Sequence, residues 1–150
     1  MLSESAKNAA LSPSTVVITA NNRWCEVDFL SFESVKVKNI HVLGDAIQIA
    51  PGMPKSGHMA NQQAKLCASA VVALLAGRPV NQTPVLNNTC YSMITDKEAM
   101  HVASVHQYDA ADKTFKTVPG SGGVSAAASQ IEARYALSWA ENIWADSLAL

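Results

Sequence analysis

The chain has 150 residues, room for one domain or two small ones, and its 49% hydrophobic against 15% charged content is that of a globular core with a modestly polar surface. A formal charge of −1 gives the whole chain no nucleic-acid or polyanion character. No apolar run reaches membrane-spanning length, the N-terminus lacks the basic and apolar regions of a signal peptide, and Cys25, Cys67 and Cys90 form neither a CxxC pair nor a zinc-like cluster with the four histidines.

In chain order, the start is mixed and rich in Ser, Ala and Asn. Thr15–Thr19 reads as a short β run and Asn21-Asn22 as a turn. Trp24 reads as core or rim packing and Cys25 as a small buried filler. Phe29 and Phe32 flank Ser31 and are expected to pack under the loop that follows, and Val35-Lys36-Val37 alternates. Ile40–Leu43 reads as a short buried strand that stops at Gly44-Asp45. A loop carrying Pro51, Gly52 and Pro54 leads to a helix over about 56–76, with Met59, Ala60, Gln63/Ala64, Cys67, Val71 and Leu74 at helical spacing and a stop at Gly77 and Pro79.

Strand, acidic tip, Pro/Gly loop and helix make a unit with a recognisable chemical bias. A carboxylate at the end of a buried strand, Asp45, lies where open α/β sheets bind ligands and accepts from ribose or ribityl hydroxyls. The helix start at Lys55-Ser56-Gly57 offers unpaired amides and a positive dipole end to the same crevice. Together they suit a cofactor with a polyol and an electron-accepting ring. The same residues equally describe a capped βα turn in an ordinary α/β domain.

Arg78–Asn88 is a polar connector. Beyond it, three short strands are expected at 89–95, 101–108 and 114–118, the last two forming a hairpin through the turn Asp109–Lys113. Gly120-Ser121-Gly122-Gly123 fails the GxGxxG spacing and reads as a flexible turn that breaks the sheet. Ala126–Leu148 is the last helix. Its stripes Ile131/Tyr135/Trp139/Ile143 and Leu137/Ala140/Trp144/Leu148 leave a narrow polar side, so it requires cover on more than one face.

Five stretches then occur in a telling order: Val42-Leu43-Gly44-Asp45-Ala46, Met53-Pro54-Lys55-Ser56-Gly57 with Ala60-Asn61, Asn88-Thr89-Cys90-Tyr91-Ser92, Gly122-Gly123-Val124 and Tyr135-Ala136-Leu137-Ser138-Trp139. The first resembles the second FAD motif of the pyridine nucleotide–disulfide oxidoreductase superfamily. All five together resemble the C-terminal portion of the flavoprotein subunit of flavocytochrome c sulfide dehydrogenase, from about Trp24 onward.

That resemblance implies FAD as cofactor, with Gly44 allowing close backbone approach and Asp45 bonding the ribityl chain. The amides and side chain at Lys55, Ser56 and Gly57 would face the pyrimidine edge of the flavin and stabilise negative charge there. It implies Cys90 as one half of a redox-active disulfide that sulfide attacks, the electrons leaving singly through the flavin to a haem on a c-type cytochrome subunit. Trp139 matches a tryptophan near the flavin, although core packing explains it as well, as it does Tyr91. His58 stands where the relatives carry tyrosine. His41, His101 and His106 read as structural or exposed, and Cys67 as inert core.

The expected fold is thus α/β plus α+β: the end of an FAD-binding βα unit (1–80), then a small antiparallel sheet with a long C-terminal helix (81–150). The family's two nucleotide-binding βαβ units and the second redox cysteine are expected in a missing N-terminal flavoprotein half, and the location implied by the family is periplasmic. The rival reading is a non-catalytic truncated or split chain, an interaction module whose last helix docks a cytochrome or a flavoprotein partner. A different flavin reductase or thiol oxidoreductase that kept the Gly-Asp segment is a third reading, which the Asn-Thr-Cys-Tyr-Ser motif argues against.

Overall fold

A computed structural model describes residues 18–20 and 23–148. Most of the expected β run at 15–19, and the Asn21-Asn22 turn, lie outside the described residues; Thr19 forms a single bridge with Cys25. The ordered elements are a 3-10 turn (Gly44–Ala46), helix α1 (Gly57–Leu75), strands β1 (Val85–Met93), β2 (Ala99–Asp109), β3 (Thr114–Thr117) and β4 (Gly123–Val124), and helix α2 (Gln130–Leu148).

The antiparallel sheet runs β1-β2-β3, with β4 also pairing β2. The hairpin turns where it was expected, at Asp109–Lys113, and Asp109 fixes it: its Oδ1 accepts from the amides of Ala111 and Asp112. Strand β1 begins four residues earlier than the sequence suggested, because Leu86 and Asn88 alternate into the core behind the fully buried Pro84. Two consecutive asparagines, poor strand formers, concealed that alternation. The glycine stretch is also more ordered than expected. Gly123 and Val124 pair with Ala103 and Val102, and a Cβ on Gly122 would stand 3.1 Å from the Ala103 carbonyl.

Helix α1 has both ends defined by the residues the sequence marks. Ser56 caps the N-terminus by accepting from the Met59 amide at 3.1 Å. At the other end Gly77 takes φ +64°, its amide reaches Leu74 and the Arg78 amide reaches Ala73, a Schellman motif. Met59, Gln63, Cys67 and Ala70 form its buried stripe.

The expected buried strand at 40–43 is not formed. His41 makes one bridge, to Glu33, while Ile40 is exposed. The physical reason is local: Phe32 and Asn39 both adopt φ near +60°, so the chain folds back on itself before a ladder can propagate. The remaining bonds are single ones, from Ser34 to the Ile40 carbonyl and from Val42 to the Phe32 carbonyl. The one parallel pairing in this region is the bridge Cys25–Ile47.

Both halves of the chain build one core. Val27, Phe29, Phe32, Ile47, Ala50, Met59 and Cys67 pack with Leu86 and Phe115. Phe29 meets Phe32 and Phe115 edge-on, at 6.4 and 5.7 Å between ring centroids, so the two phenylalanines do pack beneath the loop as the sequence indicated. Helix α2 covers one end of the sheet and touches α1, but Ala133 is its one buried residue. Ile131, Tyr135, Leu137, Trp144 and Leu148 face outward, the uncovered width its patterning anticipates.

Candidate flavin-facing site

Start at the turn after Leu43. Gly44 adopts φ +71°, and its amide donates to the buried Gln63 Oε1 at 2.7 Å. An added Cβ there would approach the Ala60 Cβ to 3.4 Å, so glycine serves both the backbone conformation and the contact with α1. The Asp45 carboxylate remains exposed. Lys55 is exposed, but its ammonium turns back onto the chain: it donates to the carbonyls of Asp45 (2.9 Å) and Ile47 (2.7 Å) and stands 4.1 Å above the Trp24 ring. Burial pushes the Lys55 amine below its ordinary value, with Asp45 opposing. Lys55 therefore clips the acidic turn to the helix start.

The space between this turn and α1 is about 10 Å³, room for about one water. Any larger group lies across the outer surface of the turn and helix, not between them. Gly57, the first helical residue, is exposed, and nothing stands within 4 Å of where its Cβ would be.

From the helix start the contacts run directly to the cysteine. Ser56 Oγ lies 2.5 Å from Asn88 Oδ1, and the Asn88 amide nitrogen lies 3.6 Å from Cys90 Sγ. Asn88 is 3% exposed. Cys90 is half-buried in the middle of β1, not at a strand start as the sequence suggested. It pairs across the sheet with Val102, which pairs with Val124. Directly opposed residues share a face, so Cys90, Val102 and Val124 form a row, and its valines are 47% and 67% exposed. The thiol stands at the end of an open apolar strip.

Tyr91 points to the opposite face. There it packs against Trp139, whose ring also meets His58 edge-on at 5.9 Å. Trp139 is thus held on the Tyr91 side of the sheet, and its buried indole N–H has no partner among the described residues. His58 Nδ1 accepts from the Thr89 amide at 2.9 Å, along the free edge of β1. Burial pushes the His58 imidazole below its usual value. His101 bonds through Nδ1 to Glu132 at 2.8 Å and to Ser125 at 2.9 Å, tying α2 to the sheet. His106 is fully buried and lies 2.8 Å from Ser104 Oγ. His101 and His106, read from the sequence as structural or exposed, both hold structural bonds, with His101 partly exposed.

Residues 82–148 match the family model described as "Flavocytochrome c sulphide dehydrogenase, flavin-binding". Over these residues the match supports the resemblance to that family. The matched segment contains Cys90, Tyr91, Trp139 and the whole sheet, and the family model describes a flavin-binding domain, consistent with FAD and with a flavoprotein oxidoreductase. The family belongs to a flavocytochrome complex, and no helix among the described residues is long and apolar enough to cross a membrane.

The residues present fit such a cofactor. The open helix start at Gly57, the exposed Asp45 acceptor and the apolar strip beside Cys90 are connected by the contacts through Lys55, Ser56 and Asn88. Sequence reasoning treated Asn88 only as part of a motif and Gln63 only as a position at helical spacing in α1. A strand alternation extended back from Cys90 to Leu86 would have placed Asn88 inward. Gln63 sits on the apolar stripe of α1, where it reads as an interruption, although it satisfies the Gly44 amide.

Proposed function

We propose that this chain supplies the flavin-facing part of an FAD-dependent oxidoreductase that oxidises sulfide and passes the electrons to a c-type cytochrome. The observation that carries the reading is the half-buried Cys90 thiol at the edge of an open apolar strip, joined through Asn88 to the helix start. In this reading the strip beside Cys90 would hold the isoalloxazine ring. Gly57 and its neighbouring amide face the ring's polar edge, where a helix N-terminus stabilises negative charge. Gly44 and Asp45 hold the ribityl chain. FAD would supply the electron-accepting ring; Cys90 would supply one sulfur of the disulfide that sulfide opens, one sulfur taking the sulfide and the other leaving as thiolate.

Cys25 and Cys67 are buried, and none of the three cysteines is in a disulfide within the described residues. The partner of Cys90 in a redox disulfide therefore comes from another segment or chain, and so does the nucleotide-binding fingerprint. A periplasmic setting, where c-type cytochromes work, belongs to the same proposal. The test is sulfide-dependent reduction of cytochrome c by the flavin-loaded assembly. Cys90→Ser is expected to abolish it while the flavin stays bound. Steady-state turnover by the isolated 150 residues would overturn the claim that a further cysteine is required.

A second reading is favoured by one observation, the outward apolar side chains of α2. In it the chain is a non-catalytic module that docks a cytochrome or flavoprotein partner. Stoichiometric co-purification with that partner, with no flavin on the chain alone, distinguishes it.

A further inference from the structure

We propose that Asn88 and Ser56 form a directional hydrogen-bond relay that couples the N-terminus of α1 to the Cys90 sulfur and makes that sulfur a better nucleophile. The inference rests on Cys90 being the reacting atom of the proposed function, but its test reads the thiol alone.

The directions follow from the donors available. Ser56 Oγ accepts the Met59 amide as the helix cap, so its own proton is free to go elsewhere. The nearest acceptor is Asn88 Oδ1, at 2.5 Å. With Oδ1 engaged by a donor, the orientation of the Asn88 amide is set, and its Nδ2 lies toward Cys90 at 3.6 Å. With the sulfur as thiolate, the protons therefore all point one way: Met59 N–H to Ser56, Ser56 O–H to Asn88, Asn88 N–H to sulfur. Aligned bonds polarise one another, and this series begins at the positive end of a helix. Its last donor stabilises negative charge on sulfur, the form that attacks.

The same amide also serves the neutral thiol. Cys90 Sγ lies 3.7 Å from Oδ1, so an S–H has an acceptor in the same group. Asn88 is buried and its backbone is fixed in β1, opposite Ser104 of β2, so the amide holds its place in both states. Asn88 and Ser56 are positioning residues; neither is asked to react.

The test is the rate at which iodoacetamide modifies Cys90 at pH 7, followed by mass spectrometry. It is taken as the ratio of the folded chain to the denatured one, so that intrinsic thiol reactivity cancels. Asn88→Asp keeps the acceptor for Ser56 but replaces the donor facing sulfur with a carboxylate oxygen. Losing a hydrogen bond to a charged group is expected to lower the ratio about ten-fold. Ser56→Ala leaves Asn88 in place and removes the polarising donor, for an expected drop of about three-fold. If Asn88→Asp does not fold, Ser56→Ala carries the test by itself. A ratio that falls in either folded variant by about two-fold or more supports the relay, and a smaller change in every folded variant overturns it. The assay uses neither flavin nor sulfide, so a normal relay with no sulfide turnover by the flavin-loaded assembly would refute the proposed function and leave this inference standing.

Discussion

The segment 23–56 buries more of its residues than the sheet 85–124 does, and by different means. In the sheet, backbone groups satisfy one another through nine continuous Cα partners between β1 and β2. In the earlier segment the backbone meets itself at isolated bridges and single turn bonds with no ladder, and side chains add the rest. Gln48 both accepts from the Val27 amide and donates to the Val27 carbonyl, Gln63 takes the Gly44 amide, and Lys55 takes two carbonyls. A ladder tolerates the loss of one side chain because its bonds are redundant. A region tied by single side chains does not, and here that region holds the acidic turn of the candidate site.

The comparison is broken most severely at the core both regions share. Phe32→Ala and Phe115→Ala are each expected to cost about 3–5 kcal/mol in denaturant unfolding, since both rings are fully buried. Equal losses with one cooperative transition fit a single core; two separated transitions would break the account. Next in size, Gln63→Leu leaves the Gly44 amide without its partner and should cost about 1–3 kcal/mol. A polar substitution at an exposed β1 position such as Asn87 should cost well under that. Gly44→Ala combines a left-handed φ with the close Ala60 contact and is expected to lose about 1–2 kcal/mol. Smaller again, Ser56→Ala removes the helix cap, for about 1 kcal/mol.

The pH dependence sharpens the same contrast. Burial depresses His58 and His106 below the ordinary histidine value, so the folded state binds these protons less readily than the unfolded state. Their contribution is fully present above about pH 6.5, the unfolded value, and is lost as pH falls through the depressed folded values. Thermal midpoints should drop below that pH, and a His106→Gln variant should flatten the curve. An unchanged slope in the variant would show that other groups set it.

How legible was this in the sequence? Both helices were, because their apolar spacing and the Ser56 and Gly77 signals are local. The hairpin was also, because Asp109 and the β-rich runs beside it carry their own turn chemistry. The run Ile40–Leu43 misled because three apolar residues and a histidine describe a strand only when neighbours exist to pair with. Whether the chain turns back at Phe32 and Asn39 depends on tertiary contacts that override the propensity of each residue. The site was legible as residue types, Asp45, Ser56, Gly57 and Cys90. The ties between them, Lys55 to Asp45 and Ser56 through Asn88 to Cys90, cross up to 32 positions and have no local signature. Trp139, matched by the resemblance to a tryptophan near the flavin and explained as well by core packing, packs with Tyr91 on the face away from the Cys90 thiol.

The central claim is that the Cys90 sulfur meets the flavin on the open strip of the sheet. The direct measurement is the visible spectrum of the flavin-loaded assembly with its cysteines reduced, compared with the Cys90→Ser variant. A long-wavelength charge-transfer band present in the first and lost in the second, with equal FAD released from both on denaturation, is the predicted result. Two superimposable flavin spectra at equal FAD content would contradict it.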